Sequence, residues 1–142
     1  MRHALVDDIL HHAFPGRRRI GNLRIPSVQM VVQTNLAMIH LIITVTTHQG
    51  RVPEYVAAFA SLAPQVRLEE GCLEYDLYRD STDPRFDNEA RPDTVVICEK
   101  WENIAALLRH NRNSAPLAEF RKRVKDIKLQ SQYRLLTPVT NQ

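Results

Sequence analysis

The sequence predicts an α+β fold whose elements follow the order β-α-β-β-α-β. Three observations support this prediction. Residues 39–47 are a β-branched run of strand length, residues 52–66 repeat apolar side chains at helical spacing, and residues 72–79 and 94–101 have the alternation of strands. This order is the split-βαβ, ferredoxin-like arrangement, in which an antiparallel sheet carries helices on one face and leaves the other face bare.

Length and composition indicate one globular domain. The chain has 142 residues, 44% of them hydrophobic and 25% charged, which is ordinary for a soluble protein that is large enough to bury a hydrophobic core. No run of about 18 apolar residues occurs, and Asp7 and Asp8 interrupt the first apolar stretch, so we expect neither a membrane span nor a secretory signal. Two cysteines, Cys72 and Cys98, fit neither a disulfide framework nor a zinc site, which predicts a reducing, cytoplasmic location.

The basic residues are unevenly distributed. Residues 1–37 contain five Arg and two Asp, whereas residues 38–142 contain fourteen Lys and Arg and fourteen Asp and Glu. The high isoelectric point, about 9.1, therefore belongs to the first segment, and a basic domain face for nucleic acid is not indicated. We expect residues 1–37 to be an N-terminal extension, poorly ordered or a docking arm, and residues 38–142 to be the folded domain. Met38 as the native start is a further hypothesis.

The first strand and the first helix each have one apolar face. Alternation in the strand places Ile39, Leu41, Ile43 and Val45 on one face and His40, Ile42, Thr44 and Thr46 on the other. Pro53 suits the first turn of the following helix, and Gly71 is placed to end it in a left-handed conformation. The predicted core stripe of this helix comprises Val52, Tyr55, Val56, Phe59, Leu62, Ala63 and Val66.

The second and third strands and the helix after them bring chemistry-bearing residues together. In the first of these strands, alternation is expected to place the side chains of Leu73, Tyr75 and Leu77 on one face. A long polar connection, residues 80–93, leads to the second strand, whose shared face holds Val95, Ile97, Glu99 and Trp101. Asn103 can then cap a helix whose inner side carries Ile104, Leu107, Leu108 and, near its end, His110.

The last helix and the last strand complete the predicted sheet. Ser114 and Pro116 begin the helix, whose apolar line consists of Leu117, Phe120, Val124 and Ile127. Residues 132–137 form the closing strand. The bare face of such a sheet would carry too many apolar side chains to remain in water, so we expect a second copy of the chain to cover it in a homodimer.

Four motifs in this order resemble the antibiotic biosynthesis monooxygenase (ABM) family. They are Glu69-Glu70-Gly71-Cys72-Leu73-x-Tyr75, Asp93-x-Val95-x-x-x-Glu99-x-Trp101-Glu102, Leu107-x-x-His110 and the ending Arg134-Leu135-Leu136-x-Pro138. The resemblance covers about residues 38–138 and makes residues 38–142 an ABM-like domain. It implies a dimeric α+β barrel in which each subunit has a pocket between its helices and its sheet.

The resemblance also limits the expected chemistry. Members of the family include oxygenases that oxidise aromatic polyketides or quinols with O2 and need no metal or flavin, others that degrade haem, and isomerases of a phosphorylated signal metabolite. The haem-degrading members rely on an Asn in the first strand, where this chain has Thr44 and Thr46, so haem degradation is not expected. Pro116 is followed by Leu117, where many members have a His.

His110 and Glu99 are the candidate catalytic residues. His110 could act as a general base, because its ordinary pKa is close to neutral pH, or it could be a His that balances the end of a helix. Glu99 lies in a β-run, where an unpaired carboxylate is costly. It could orient His110 or a substrate hydroxyl, or it could form an ion pair with an Arg across the sheet or the dimer.

The candidate substrate-binding residues are aromatic or hydroxylic, namely Trp101, Tyr75, Phe120, Phe59, Thr44 and Thr46. The aromatic residues could stack on a flat substrate or could simply be core. The two threonines could offer hydroxyls or reflect β-propensity alone. No phosphate loop, nucleophile elbow or metal-spaced set of His, Cys and Asp occurs, so we expect no metal and no cofactor.

The sequence therefore predicts a cofactor-independent monooxygenase that oxidises a small, electron-rich aromatic substrate (a quinol, phenol or anthrone) with O2. Two alternatives remain open. One is an isomerase of a small hydroxy-carbonyl metabolite that uses the same His and Glu. The other is a non-catalytic dimeric ligand-binding or stress-response module.

Overall fold

The computed structural model describes residues 37–139, and the predicted extension lies outside these residues except for Ala37. The elements follow the predicted order, with the second helical element divided in two at Ser114. They are β1 (Ile39–Thr47), α1 (Val52–Val66), β2 (Cys72–Tyr78), β3 (Thr94–Trp101), α2 (Ile104–Asn113), α3 (Ala115–Arg123) and β4 (Lys128–Leu136). The ferredoxin-like α+β prediction is thus confirmed.

The four strands form one antiparallel sheet in the order β2-β3-β1-β4. The centre of the sheet is built from the two most apolar strands, β1 and β3. Their register pairs Val45 with Val95 and Leu41 with Glu99, so the face that carries Glu99 is the apolar face of β1. The alternation predicted for these two strands is therefore present in the sheet.

The last strand is longer than the sequence predicted. It begins at Lys128, four residues before the expected start at residue 132, and pairs with β1 along almost the whole of that strand. Its first half, Lys-Leu-Gln-Ser-Gln, lacks a clear apolar alternation because β4 is an edge strand that is mostly exposed. Apolar alternation marks a strand only where one of its faces is buried, so it does not predict this exposed part of β4.

A bulge in β2 overturns the predicted orientation of Leu73. Cys72 is opposite Trp101 and Glu74 is opposite Lys100, so Leu73 is an extra residue between two paired positions. Leu73 is consequently 51% exposed, whereas Cys72 packs against the core together with Tyr75. Strict alternation gave the wrong face for Leu73 because a one-residue insertion in the ladder leaves no mark in the sequence.

The core lies between one face of the sheet and the three helices. Helix α1 contributes Tyr55, Ala58, Phe59, Leu62, Ala63 and Val66, and the predicted apolar line after Ser114 contributes Leu117, Phe120, Val124 and Ile127. Val56, predicted in the stripe of α1, is 43% exposed, and Ala58 is buried in that helix instead. Within residues 37–139, no helix is long and apolar enough to cross a membrane.

The turn between α1 and β2 is pressed against α2. Gly71 has a φ of +85°, and a Cβ at this position would lie 2.6 Å from the Cβ of Ala106. The Gly71 carbonyl accepts a hydrogen bond from the Glu102 N–H at 2.9 Å. The predicted cap of α2 is also present, since the Asn103 Oδ1 accepts a hydrogen bond from the Ala106 N–H at 2.9 Å. The turn that carries Glu69 is therefore held at a fixed position beside α2.

Candidate functional site

The structure brings Glu99, Trp101, Tyr75 and His110 into one buried group between the sheet and α2. Glu99 and Trp101 point from β3 toward the helices, and Tyr75 is the partner of Glu99 on β2. The centre of the Trp101 ring system lies 4.7 Å from the centre of the His110 ring, and the Tyr75 ring lies edge-on to His110 at 5.5 Å. All four residues are at most 4% exposed. We call them the buried cluster.

Glu99 forms a hydrogen bond with its neighbour on the same face of the strand. The Trp101 Nε1–H donates to the Glu99 Oε2 at 2.9 Å. Burial raises the pKa of Glu99 to about 7, although this indole N–H and the charge of Arg121 act in the opposite direction. Within residues 37–139, Glu99 forms no ion pair and no hydrogen bond with His110. Near neutral pH this carboxyl group can therefore donate or accept a proton.

His110 is paired with a different carboxylate, that of Glu69. The His110 Nδ1 lies 2.6 Å from the Glu69 Oε2, and the Ser114 hydroxyl donates a hydrogen bond to the other oxygen of Glu69. The His110 Nε2 is buried and has no hydrogen-bond partner among the described residues. Burial lowers the pKa of His110 below its ordinary value, and the Glu69 carboxylate only partly opposes this effect. The imidazole is therefore neutral near pH 7, with Nε2 available to accept a proton.

The contacts that join Glu69 and Ser114 to His110 are not predicted by the sequence. Glu69 is part of the first family motif, which was the only signal available, and Ser114 was predicted only to begin a helix. Glu69 and His110 are 41 residues apart along the chain. No periodicity connects positions at that separation, so the contact depends on how the turn before β2 packs against α2.

The aromatic candidates lie together beside the buried cluster. The Phe59 ring stacks on Tyr75 with 5.2 Å between ring centres, and Phe120 packs edge-on to Phe59 at 6.3 Å. Tyr55, which was predicted only as a core residue, extends this group through an edge-on contact with Phe120 at 5.4 Å. Burial raises the pKa values of Tyr55 and Tyr75, so both phenols remain protonated at neutral pH.

Thr44 and Thr46 do not join this group. Thr44 is opposite Val96 and Thr46 is opposite Thr94, on the face of the sheet that the helices leave open. The apolar face of β1, by contrast, is the one that shares the core with Trp101. The expectation that the two threonines share a site with His110 is therefore corrected, because the sheet itself separates them from it.

Of three clefts on the surface of the described residues, none is lined by Glu99, Trp101 or Tyr75. A cleft of about 330 Å³ has His110 in its wall. Phe120 lines a cleft of about 440 Å³ between α1 and α3, and Phe59 lines one of about 680 Å³ between α1 and β2. In the single chain, aromatic rings pack against one another in the region where the pocket was expected. Among residues 37–139, no group of three or more His, Cys, Asp and Glu side chains is arranged to hold a metal ion.

The fold and the buried cluster define a ferredoxin-like α+β protein with a carboxyl group and an imidazole buried among aromatic side chains. The family model for antibiotic biosynthesis monooxygenases matches residues 38–125, and the chain belongs to that family. The match begins within one residue of the first strand and includes every residue of the buried cluster. The resemblance drawn from the four motifs is therefore confirmed.

Solved structures with the same fold come from several bacteria. A protein from Pseudomonas aeruginosa is 25% identical with a TM-score of 0.62, and the match covers 73% of this chain and 96% of that one. A protein from Shewanella oneidensis is 26% identical with a TM-score of 0.60, covering 73% and 93%. A protein of unknown function from Bacteroides thetaiotaomicron, described as a possible oxidoreductase, is 24% identical with a TM-score of 0.60, covering 72% and 98%. No functionally curated protein matches the chain.

Proposed function

We propose that the protein is a cofactor-independent monooxygenase that oxidises a small, electron-rich aromatic substrate of the quinol, phenol or anthrone type with O2. The observation that carries the proposal is the state of His110. Its imidazole is buried, its pKa is lowered, and its Nε2 has no partner among the described residues. A buried, neutral imidazole is suited to take a proton from a weakly acidic substrate. Membership of the family supports the same class of reaction.

The chemistry begins with proton transfer to the His110 Nε2. Loss of a proton turns an anthrone or quinol into an enolate or phenolate, which gives up an electron far more readily than the neutral molecule. One electron passes to O2, and the substrate radical and superoxide then combine to form a carbon–oxygen bond. The protonated His110 returns its proton to the resulting peroxide anion.

The reaction balances without an external reductant. For a substrate with a reactive CH2 group, the hydroperoxide loses water, so that CH2 and O2 give a carbonyl group and one molecule of water. The carbon loses four electrons and the two oxygen atoms gain them. The protein therefore needs only a base, a hydrogen-bonding group for the substrate oxygen and an interior that excludes water.

Glu99 and the aromatic residues supply the remaining parts of the proposed site. A carboxyl group with a pKa near 7 can hold a proton and donate a hydrogen bond to the substrate oxygen. Trp101, Tyr75, Phe59 and Phe120 form the aromatic surroundings. Phe59 and Phe120 reach from the buried group to the walls of the two clefts on α1. Their displacement is the proposed route by which a flat substrate reaches His110.

Oxygen uptake with a panel of quinols and anthrones tests the proposal. We expect wild-type protein to consume O2 in a 1:1 ratio with the substrate and His110→Ala to lose about 100-fold or more in kcat. His48→Ala, which removes an exposed histidine from a turn, is the matched control and should keep full activity. Equal turnover by wild type and His110→Ala would remove the base from the mechanism. No uptake with any member of the panel would contradict the oxygenase proposal.

One observation favours a second candidate, a non-catalytic ligand-binding module. Glu99, Trp101 and Tyr75 line none of the three clefts, and aromatic stacking fills the interior beside them. Binding of the same aromatic compounds, detected by quenching of the fluorescence of the single tryptophan without O2 uptake, would support this candidate. Conversion of a hydroxy-carbonyl compound under anaerobic conditions would instead support an isomerase.

We also propose that the protein is a homodimer in which the open faces of two sheets cover each other. In the single chain this face carries the apolar side chains of Ile42, Val96 and Cys98 among polar ones such as Thr44 and Arg134, and the helices do not cover it. Burial of such side chains is the main driving force for stable dimers.

A further inference from the structure

We propose that Glu69 is a positioning residue for His110 and that Ser114 holds its carboxylate in place. The inference rests on the proposed function, because it assigns the group that orients the base. Glu69 would fix the proton of the neutral imidazole on Nδ1, which leaves the lone pair of Nε2 free for the substrate proton.

The first support is the geometry of the pair. The His110 Nδ1 and the Glu69 Oε2 are 2.6 Å apart, which is a short, charge-assisted contact. The His110 side chain is 1% exposed and that of Glu69 is 23% exposed, so little solvent competes for the hydrogen bond. A carboxylate accepts hydrogen bonds and a neutral imidazole donates through only one nitrogen, so this contact selects the Nδ1–H tautomer.

The second support is the role of Ser114 at the junction of α2 and α3. Its Oγ accepts a hydrogen bond from the Leu117 N–H at 3.3 Å as the N-cap of α3. The hydroxyl donates its own proton to the Glu69 Oε1. Both oxygens of Glu69 are therefore engaged, one by His110 and the other by Ser114, which restricts rotation of the carboxylate.

The third support is the rigid backbone on both sides of the contact. The Glu69 N–H donates to the Val66 carbonyl at 2.9 Å, and the Glu69 carbonyl accepts from the Cys72 N–H at 3.1 Å. The following Gly71 packs so closely on Ala106 that a Cβ at Gly71 would overlap with it. The turn and α2 therefore cannot separate without losing this packing, and Glu69 reaches His110 from a fixed position.

A carboxylate behind the imidazole also has a consequence for the reaction. When His110 takes the substrate proton, a positive charge forms in a buried position, where it is costly without a nearby negative charge. Glu69 supplies that charge on the side of the ring away from Nε2. The same division of roles between a base and its orienting carboxylate operates in the Ser-His-Asp triad.

The direct test is nitrogen-15 NMR of the histidine side chains at several pH values. The chain has six histidines, and comparison with His110→Asn assigns the signals of His110. We expect wild-type His110 to be the Nδ1–H tautomer at neutral pH. In Glu69→Gln, its pKa should fall further, because a neutral amide no longer stabilises the imidazolium. In Glu69→Leu, which lacks an acceptor, the Nδ1–H preference should be lost. A wild-type Nε2–H tautomer would overturn the inference whether or not the variants fold.

Kinetics separate a positioning role from a structural one. With a substrate that the wild-type protein oxidises, Glu69→Gln should lower kcat by about tenfold with little change in KM. The acidic limb of the pH–rate profile should also move to lower pH, because the pKa of His110 falls. Ser114→Ala should produce a smaller change in the same direction. The matched control is Glu70→Gln, which removes the neighbouring carboxylate, whose side chain is 87% exposed, and it should leave both the profile and the NMR signals unchanged.

The two proposals fail in different ways. An His110 pKa that does not respond to Glu69→Gln, or an equal effect of Glu70→Gln, would overturn the positioning role even if oxygen uptake is observed. The expected tautomer and pKa response in a protein that consumes no O2 would leave the Glu69–His110 assignment standing and remove the oxygenase.

Discussion

At the scale of single residues, burial has opposite effects on the two titratable groups of the cluster. Burial disfavours the charged form of each, so it raises the pKa of Glu99 and lowers the pKa of His110. At neutral pH the imidazole is therefore an acceptor, while the carboxyl group is partly protonated and can donate. Burial thus reverses the usual order of the two pKa values, so that the carboxyl group can hold a proton at a pH at which the imidazole is neutral. Such a pair is suited to acid–base chemistry.

Glu99 makes the stability of the protein depend on pH. Its folded-state pKa of about 7 lies above that of an unfolded Glu, so between about pH 4.5 and 7 the native state holds a proton that the unfolded state has lost. The contribution of Glu99 to the free energy of unfolding is therefore fully present below about pH 4.5 and declines as pH rises to 7. The total decline is about 3 kcal/mol.

Urea unfolding of wild type and Glu99→Gln from pH 4.5 to 8 measures this contribution. The amide of Gln cannot ionise and can still accept the hydrogen bond of the Trp101 indole, so the variant should gain stability relative to wild type as pH rises. His110 contributes to stability with the opposite pH dependence, but it is present in both proteins. Its contribution therefore cancels when the free energies of unfolding of the two proteins are subtracted. Glu102→Gln, at an exposed position, is the control. Parallel pH curves for wild type and Glu99→Gln would contradict the prediction.

At the scale of elements, the turn between α1 and β2 depends on a glycine for two separate reasons. Gly71 has a positive φ, and a Cβ there would meet Ala106 at 2.6 Å. Gly50, in the turn between β1 and α1, has a φ of +74° but nothing within 4 Å of a Cβ. The two glycines thus share the backbone requirement and differ in the steric one.

This pair provides a matched prediction. Gly50→Ala should lower the free energy of unfolding by about 1 kcal/mol through backbone strain alone. Gly71→Ala should lower it by about 2–4 kcal/mol, since overpacking against α2 adds to the strain. It should also disturb the Glu69–His110 contact and with it the NMR signals of His110. Thermal or urea unfolding gives the comparison, and equal losses in the two variants would contradict the steric contribution at Gly71.

The caps of α2 and α3 show which element boundaries are set locally. Asn103 precedes α2 and Ser114 precedes α3, and each side chain accepts a hydrogen bond from a backbone N–H three residues later. Asn103→Ala should therefore lower the free energy of unfolding by about 1 kcal/mol without changing the His110 tautomer. Ser114→Ala should cause a similar loss and also alter the His110 signals. A change of His110 in Asn103→Ala of the same size as in Ser114→Ala would contradict the specific link between Ser114 and Glu69.

At the scale of the whole molecule, the sheet has one covered face and one uncovered face. The helices and the core occupy the side of Leu41, Ile97 and Trp101. The other side carries Ile42 at its centre, between Cys98 and Arg134. This asymmetry is the basis of the proposed homodimer.

A charge at the centre of the uncovered face tests the dimer. We expect wild-type protein to sediment as a dimer in analytical ultracentrifugation. Ile42→Arg should sediment as a monomer, because a second guanidinium beside Arg134 would be buried without a partner, which costs several kcal/mol. Val56→Arg, which introduces the same charge at a 43% exposed position on α1, should remain dimeric. A monomeric wild type, or a dimeric Ile42→Arg, would contradict the arrangement.

The order of the elements is predictable from the sequence alone, and so are the inner faces of β1 and β3, both helix caps and the family. These properties follow from periodicity and from local side-chain hydrogen bonds, which involve residues only a few positions apart. For the same reason the sequence placed Glu99, Trp101 and His110 in one compact unit, since they lie within twelve positions of one another.

The contacts that those residues make depend on the three-dimensional fold. His110 contacts Glu69 rather than Glu99, Leu73 turns outward at a bulge, and Thr44 lies on the far side of the sheet from the buried cluster. Each of these outcomes depends on the register of neighbouring strands or on the packing of a turn against a helix. Contacts of this kind join positions that are far apart along the chain, so no local pattern of side chains specifies them.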